Sequence, residues 1–383
     1  SFSQLHGSDR RSDDPLHSVN MPRNFIPLLS VRVGGAEMRF IDIVEALNAD
    51  GVQTQLVIPA TLKTHLEKVR PKLPASTIVL GEEGDSLPAF LRRYLPWVRR
   101  QRFERHSFHY PLNCFPYLHK GLPHRVTCSY TDSIPVSERK GSWRWQLQMR
   151  SILRESQGVD VLNPSIFDSL KQTFPSALSK MSITPSGTYV NPGNYYIGLK
   201  SDEVVFASRL TAETKGVEDF LRLMPQVSKH LTERRGEDFS IKIIGDGPLR
   251  SYVECELARL QSDSIPVAYL GGIDVRPIFS RAPVILSLQK YTNYPSRVVA
   301  EGLLSGCFVI VRDTGESRLF GQLPGLIYIR EDMNTQDLAA AISYSCNYLR
   351  RFPEFSAEIR KEAIRRFSSA AVPNYFQALL SSD

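Results

Sequence analysis

The sequence predicts an α/β protein of two Rossmann-like halves, each a parallel sheet covered by helices. Three observations predict it. Short apolar runs of strand length alternate with stretches of helical apolar spacing, the pattern of βαβ units. At 383 residues the chain exceeds one ordinary domain and suits two. The run YVNPGNYYIG at Tyr189–Gly198, dense in Asn, Gly, Pro and Tyr, reads as the linker between them.

In chain order, Ser1–Asn20 is polar, with clustered charge and no periodicity. Residues 1–23 are therefore expected to form a disordered lead-in, with Met21 a candidate natural start unless the chain is a piece of a longer protein. The first half spans 24–189. Its expected strands are Phe25–Ser30, Gln55–Ile58, Thr77–Leu80, Ser107–Tyr110, Arg125–Ser129, Val159–Asn163 and Ile183–Pro185. After the first strand, Gly34-Gly35-Ala36-Glu37 opens a helix whose apolar face is Phe40, Ile41, Ile43, Val44 and Leu47. The second half spans 190–354, with strands at Glu203–Ser208, Phe239–Ile244, Val267–Gly271, Pro283–Leu288, Cys307–Val311 and near Ile327. Residues 355–383 read as a helical tail, interrupted near Pro373.

The segment Tyr291–Gly306, YTNYPSRVVAEGLLSG, lies between two of these strands and reads loop, helix, tight turn. In a doubly wound sheet such a loop faces the ligand crevice. A helix start there presents free N–H groups and a positive dipole end, which suit phosphate. Glu301, one turn further in, is placed to accept hydrogen bonds from ribose hydroxyls. After the strand Glu203–Ser208 come Arg209 and Lys215. Cations near a helix start are unfavourable unless an anion binds there. A fixed Arg and Lys at that place suit a bound anion. Phe239–Ile244 then runs into the tight turn Gly245-Asp246-Gly247-Pro248, and Gly271 closes the next short strand.

Taken together and in this order, these pieces resemble the retaining GT-B glycosyltransferases of family 4, also described as glycosyl transferases group 1. The resemblance runs from about Asn24 onward and is densest over Val204–Val311. It implies the GT-B fold, two Rossmann-like domains facing each other across a cleft. It implies transfer of a sugar from a nucleotide-sugar donor, UDP- or GDP-linked, to a hydroxyl of a glycan or lipid-linked acceptor. Retention of configuration, no metal and no cofactor belong to the same expectation, as does a place in cell-surface polysaccharide or glycolipid synthesis.

By the same resemblance, Gly34 and Gly35 lie over the donor phosphates, and Arg209 and Lys215 neutralise the diphosphate. Gly245, Gly247, Pro248 and Gly271 shape the base pocket. Tyr294, Pro295, Ser296 and Arg297 form the donor loop, and Glu301 holds the ribose. Asn293 stands where the family has a Glu beside the donor sugar; it offers hydrogen bonds without charge. The C-terminal helix is implied to pack back onto the first domain.

The first half is expected to hold the acceptor. His109, in HSFHYPLN, follows the fourth strand and is a candidate cleft residue or proton shuttle, or else a partly buried His satisfied by backbone. Asp132 follows the fifth strand and reads either as a hydroxyl-orienting group or as a cap.

Hydrophobic content of 42% beside 23% charged residues is that of a soluble globular protein, and no apolar run approaches membrane-spanning length. The five cysteines are scattered, without zinc spacing, and read as buried thiols in a reducing, cytoplasmic setting. The net charge of +7 concentrates in Leu91–His106 and Lys140–Arg154, where Arg is interleaved with Trp and Leu. Such segments suit an anionic membrane surface on the inner face, or else a solvated helix face. None of the nucleic-acid recognition motifs occurs. Alternatives to a transferase are a GT-B epimerase or phosphorylase, or a sugar-nucleotide-binding scaffold without turnover.

Overall fold

The computed structural model describes residues 23–70, 72–111, 116–131, 136–212, 214–235, 239–291 and 294–381. Its strands are β1 (Asn24–Pro27), β2 (Thr54–Pro59), β3 (Thr77–Leu80), β4 (Ser107–Tyr110), β5 (Arg125–Tyr130), β6 (Gly158–Val161), β7 (Met181–Ile183), β8 (Glu203–Ala207), β9 (Ser240–Ile244), β10 (Val267–Tyr269), β11 (Val284–Ser287), β12 (Phe308–Arg312) and β13 (Leu326–Ile329).

They form two sheets, a seven-stranded one in the order β3-β2-β1-β4-β5-β6-β7 and a six-stranded one in the order β10-β9-β8-β11-β12-β13. Each pairing is parallel, from Asn24 opposite Thr54 to Val309 opposite Leu326. Parallel sheets carry helices on both faces, so their strands read as near-continuous aliphatic runs; β11 (VILS) is buried along its whole length. In each sheet the order reverses once, between β1 and β4 and between β8 and β11. Ligand crevices open at such switch points, beyond the carboxyl ends of the strands.

Two local choices place the second crevice. The helix Arg297–Leu304 lies close over β11 and β12 because it carries Gly302. A Cβ there would stand 2.8 Å from Val309 Cγ2 and 3.2 Å from Ile285 Cγ1. The turn after β9 folds onto the end of β8 through Gly245 (φ 149°), where a Cβ would stand 1.8 Å from the Ser208 carbonyl oxygen.

The tail turns back. After the helix Phe355–Phe367 the chain breaks at Ser368, and Pro373 falls in the first turn of the next helix, Ala371–Ser381, where its missing N–H costs nothing. That helix packs on the first sheet. Phe376 meets Phe40 edge-on at 5.7 Å, and Ser107 Oγ donates to the Leu380 carbonyl at 2.7 Å. Cys128, Cys307 and Cys346 are buried thiols and Cys255 is exposed. Residues 1–22, Cys114, Asp132 and Asn293 lie outside the described residues.

Candidate active site at the facing strand ends

The two switch points open onto one cavity of about 780 Å³. On the first side it is lined by the loop and helix start after β1, including Gly34, Gly35 and Glu37. On the second side it is lined by Arg209 and Lys215 after β8, Gly245 and Asp246 after β9, and Ser287, Gln289, Tyr294–Val298 and Glu301 after β11.

Arg209 is exposed on this wall and Lys215 is half-buried. Lys215 Nζ donates to Gln289 Oε1 at 2.8 Å, and Gln289 Nε2 donates to Ser296 Oγ at 3.2 Å. Burial, reinforced by the nearby Arg209 charge, pushes the Lys215 ammonium down to about 8. Among the described residues its partner is the Gln289 amide and no carboxylate pairs with it. The helix Arg297–Leu304 starts on the same wall, and no side chain hydrogen-bonds its first turn from the N-cap Ser296. Two cations and an uncapped helix start thus converge where a dianion fits.

Glu301 is buried at the back of this wall. Its Oε1 accepts from Tyr195 Oη and from Arg297 Nε, both at 2.6 Å. Arg297 also pairs through Nη1 with Asp42 Oδ2 of the first domain at 2.8 Å. Burial opposes the Arg297 charge, but Asp42, Glu301 and Tyr195 outweigh it and hold the guanidinium well above its ordinary range. Burial, then Glu301, raises the Tyr195 phenol, which stays a donor. Glu37, on the opposite wall, has its carboxyl raised by burial, against the lowering pull of its own N–H, Ser30 and Arg209.

The structure brings Gly34, Gly35, Arg209, Lys215, Gly245, Tyr294, Pro295, Ser296, Arg297 and Glu301 onto one cavity. Gly247, Pro248 and Gly271 are not among its lining residues. Gly247 lies close against the Leu210 carbonyl, and the Gly271 carbonyl accepts from the Gly245 N–H at 2.9 Å.

His109 is not a cleft residue. It is fully buried inside the first sheet, with Nδ1 at 2.9 Å from Thr127 Oγ1 and Nε2 at 2.9 Å from Ser129 Oγ. Burial drives its pKa down to about 3, and it does not line the cavity. The physical reason is register: it pairs with Thr127 within the ladder rather than beyond the strand end.

Sequence reasoning passed over Asp42, Glu37, Tyr195, Ser287 and Gln289. Asp42 carried a signal, an acid within the apolar run Phe40–Val44, where an unpaired charge would be costly. Tyr195, in the linker, carried none.

The basic segments divide. Trp97 is buried and Trp145 packs on the first core, whereas Phe103, Trp143 and Leu147 are exposed beside Arg102, Arg144 and Arg150. Among the described residues no helix is long and apolar enough to cross a membrane.

This geometry is a crevice between two Rossmann-like domains, the arrangement of the GT-B fold. Residues 201–347 match the model of the family glycosyl transferases group 1. No curated protein matches the sequence. Solved structures share the fold at low identity. Anabaena Alr3699/HepE in complex with UDP and glucose superposes with a TM-score of 0.70 at 15% identity, covering 94% of this chain and 100% of that one. A Staphylococcus aureus (S. aureus) TarM variant, solved with fondaparinux, α-GlcNAc-glycerol and UDP, gives 0.71 at 10% identity over 94% and 100%. WaaG, a glycosyltransferase involved in lipopolysaccharide biosynthesis, gives 0.65 at 12% identity over 94% and 100%. The family match and the fold together support a glycosyltransferase.

Proposed function

We propose that the protein moves a hexosyl-type sugar from a UDP- or GDP-linked donor to a hydroxyl of a glycan or lipid-linked acceptor. The transfer retains configuration, needs no metal, and serves cell-surface polysaccharide or glycolipid synthesis. The observation that carries the reading is the convergence of Arg209, Lys215, an uncapped helix start and Glu301 on one cavity. The same group 1 match supports a nucleotide-sugar donor.

In this reading the diphosphate lies against Arg209, Lys215 and the first turn of Arg297–Leu304. Gln289 fixes the Lys215 ammonium toward it. When the bond from the anomeric carbon to phosphate oxygen breaks, both electrons stay on that oxygen, and the two cations stabilise the charge. The acceptor hydroxyl approaches from the face the diphosphate leaves, and its proton passes to a phosphate oxygen. Glu301 accepts from the ribose hydroxyls. The family resemblance assigns Asn293 to the donor sugar and Asp132 to the acceptor. The exposed Phe103, Trp143 and Leu147 among arginines hold the protein peripherally on the inner, cytoplasmic face of a membrane.

The test is a panel of UDP- and GDP-sugars, read by nucleotide release with and without candidate acceptors. UDP-glucose comes first, because HepE has been solved with it. Release that Arg209→Ala abolishes supports the reading. Tight nucleotide binding without release by any donor–acceptor pair favours a scaffold, and absence of any nucleotide binding sinks both.

A further inference from the structure

We propose that Asp42, in the first domain, sets the orientation of Glu301 through Arg297, making Arg297 a positioning residue rather than a phosphate ligand. The inference rests on the donor role of Glu301 given above.

Asp42 sits on the helix Gly35–Ala49 between Ile41 and Ile43, and is fully buried. A buried acid needs compensation, and it has two arginines. Oδ2 lies 2.8 Å from Arg297 Nη1, and Oδ1 lies 2.6 Å from Arg70 Nη1. Arg70 in turn pairs through Nη2 with Glu45 at 2.6 Å, and Glu45 accepts from Asn191 Nδ2 of the linker at 3.1 Å. The chain Glu301–Arg297–Asp42–Arg70–Glu45 alternates in sign and crosses from the second domain to the first.

Its end at Glu301 is asymmetric. Arg297 Nε and Tyr195 Oη both engage Oε1. Among the described residues nothing engages Oε2, although Glu301 lines the cavity. One carboxylate oxygen is thereby fixed and the other left to accept from a ligand. The guanidinium of Arg297 donates from Nε to Glu301, lies with Nη1 2.8 Å from Asp42 Oδ2 as an ion pair outside hydrogen-bond geometry, and has Nη2 3.4 Å from Tyr195 Oη. A planar fork bonded at Nε and drawn toward Asp42 by charge at Nη1 turns its carboxylate partner in one plane, which a lysine cannot do. Asp42 does not line the cavity, so any effect on ligand must pass through Arg297.

The experiment measures calorimetric affinity for UDP, GDP and pyrophosphate in the full chain. The variants are Asp42→Asn, Arg297→Lys, Glu301→Gln and the double variant Asp42→Asn/Glu301→Gln. Asp42→Asn and Arg297→Lys are each expected to weaken the preferred nucleotide about tenfold while leaving pyrophosphate unchanged, because pyrophosphate has no ribose. In the Glu301→Gln background, Asp42→Asn should add less than about twofold, the non-additivity of residues acting through one group. Equal weakening of nucleotide and pyrophosphate, or a loss that adds in full to that of Glu301→Gln, makes Asp42 only a clamp between domains and overturns the proposal. If Asp42→Asn fails to fold, Arg297→Lys decides the same comparison. If Glu301→Gln itself leaves nucleotide affinity intact, the donor reading fails instead.

Discussion

Beyond β8 and β11 the polar side chains face the cavity: Arg209, Lys215 and Gln289 line it. In the first sheet the corresponding polar groups turn inward. Asp160 of β6 is fully buried and accepts from Ser129 Oγ at 2.6 Å, Tyr375 Oη at 2.9 Å and Thr184 Oγ1, with Arg39 at 3.5 Å. His109 completes the group through Ser129. A second buried set, His106, His119 and His124, stacks beside Phe108. The same residue types therefore do different things in two similar sheets. The first-sheet network is satisfied mostly from within and fixes the fold, although among the described residues Arg39 keeps Nε and Nη1 without a hydrogen-bond partner and borders the cavity. Where polar groups are left short of counter-charge, as at Lys215, they suit an anionic ligand.

Substitutions sharpen the contrast. Asp160→Ala should remove about 3–5 kcal/mol of unfolding free energy in denaturant melts, because it leaves the buried Arg39 charge uncompensated. Its effect on nucleotide affinity should be small. A stable Asp160→Ala protein would mean that the first network is not the fold's keystone. Arg209→Ala should do the reverse. Melting should be unchanged while turnover falls about a hundred- to thousandfold, the cost of one donor to developing phosphate charge, roughly 2.7–4 kcal/mol. Near-native turnover at saturating donor would break the assignment of the β8 side.

The two regions should also answer pH in opposite directions. The Lys215 ammonium is depressed to about 8 by burial and Arg209, whereas a bound diphosphate stabilises its charged form. Nucleotide affinity should then fall as pH rises through about 8, with proton uptake on binding measurable by calorimetry in buffers of different ionisation enthalpy. A flat profile from pH 7 to 9 would place Lys215 off the phosphates.

In the first domain burial lowers His109 and His119 to about 3 and His124 to about 4, from an ordinary 6.5. The unfolded chain takes up protons below 6.5 that the folded protein refuses. Their contribution to stability is thus complete above 6.5 and drains away as pH falls toward about 3. Urea melts at pH 7, 5.5 and 4.5 check the sign. Constant stability would mean these histidines charge freely in the folded state.

The smallest effect concerns the outer surface of the first domain. Converting Arg99, Arg100 and Arg102 to Gln should weaken sedimentation with anionic liposomes by about 1 kcal/mol per charge, most visibly at low salt. Equal binding to neutral vesicles would leave these arginines as a solvated face.

The sequence by itself determined the two parallel sheets, because strand and helix periodicity are local and both faces of each strand had to be buried. It also exposed Arg209, Lys215 and Glu301, since charges beside a helix start after an apolar strand have few structural uses. What it left undecided were pairings between residues far apart in the chain. His109 shows this from one side: its place one step inside the strand end, opposite Thr127, makes it an interior group. Arg297 shows it from the other: it lies in the donor loop by position, but a buried acid on the opposite domain claims one edge of it. Only the tertiary structure settles such cases, because the free energy of a buried polar group depends on the partner that arrives from elsewhere, and that partner leaves no mark in the local sequence.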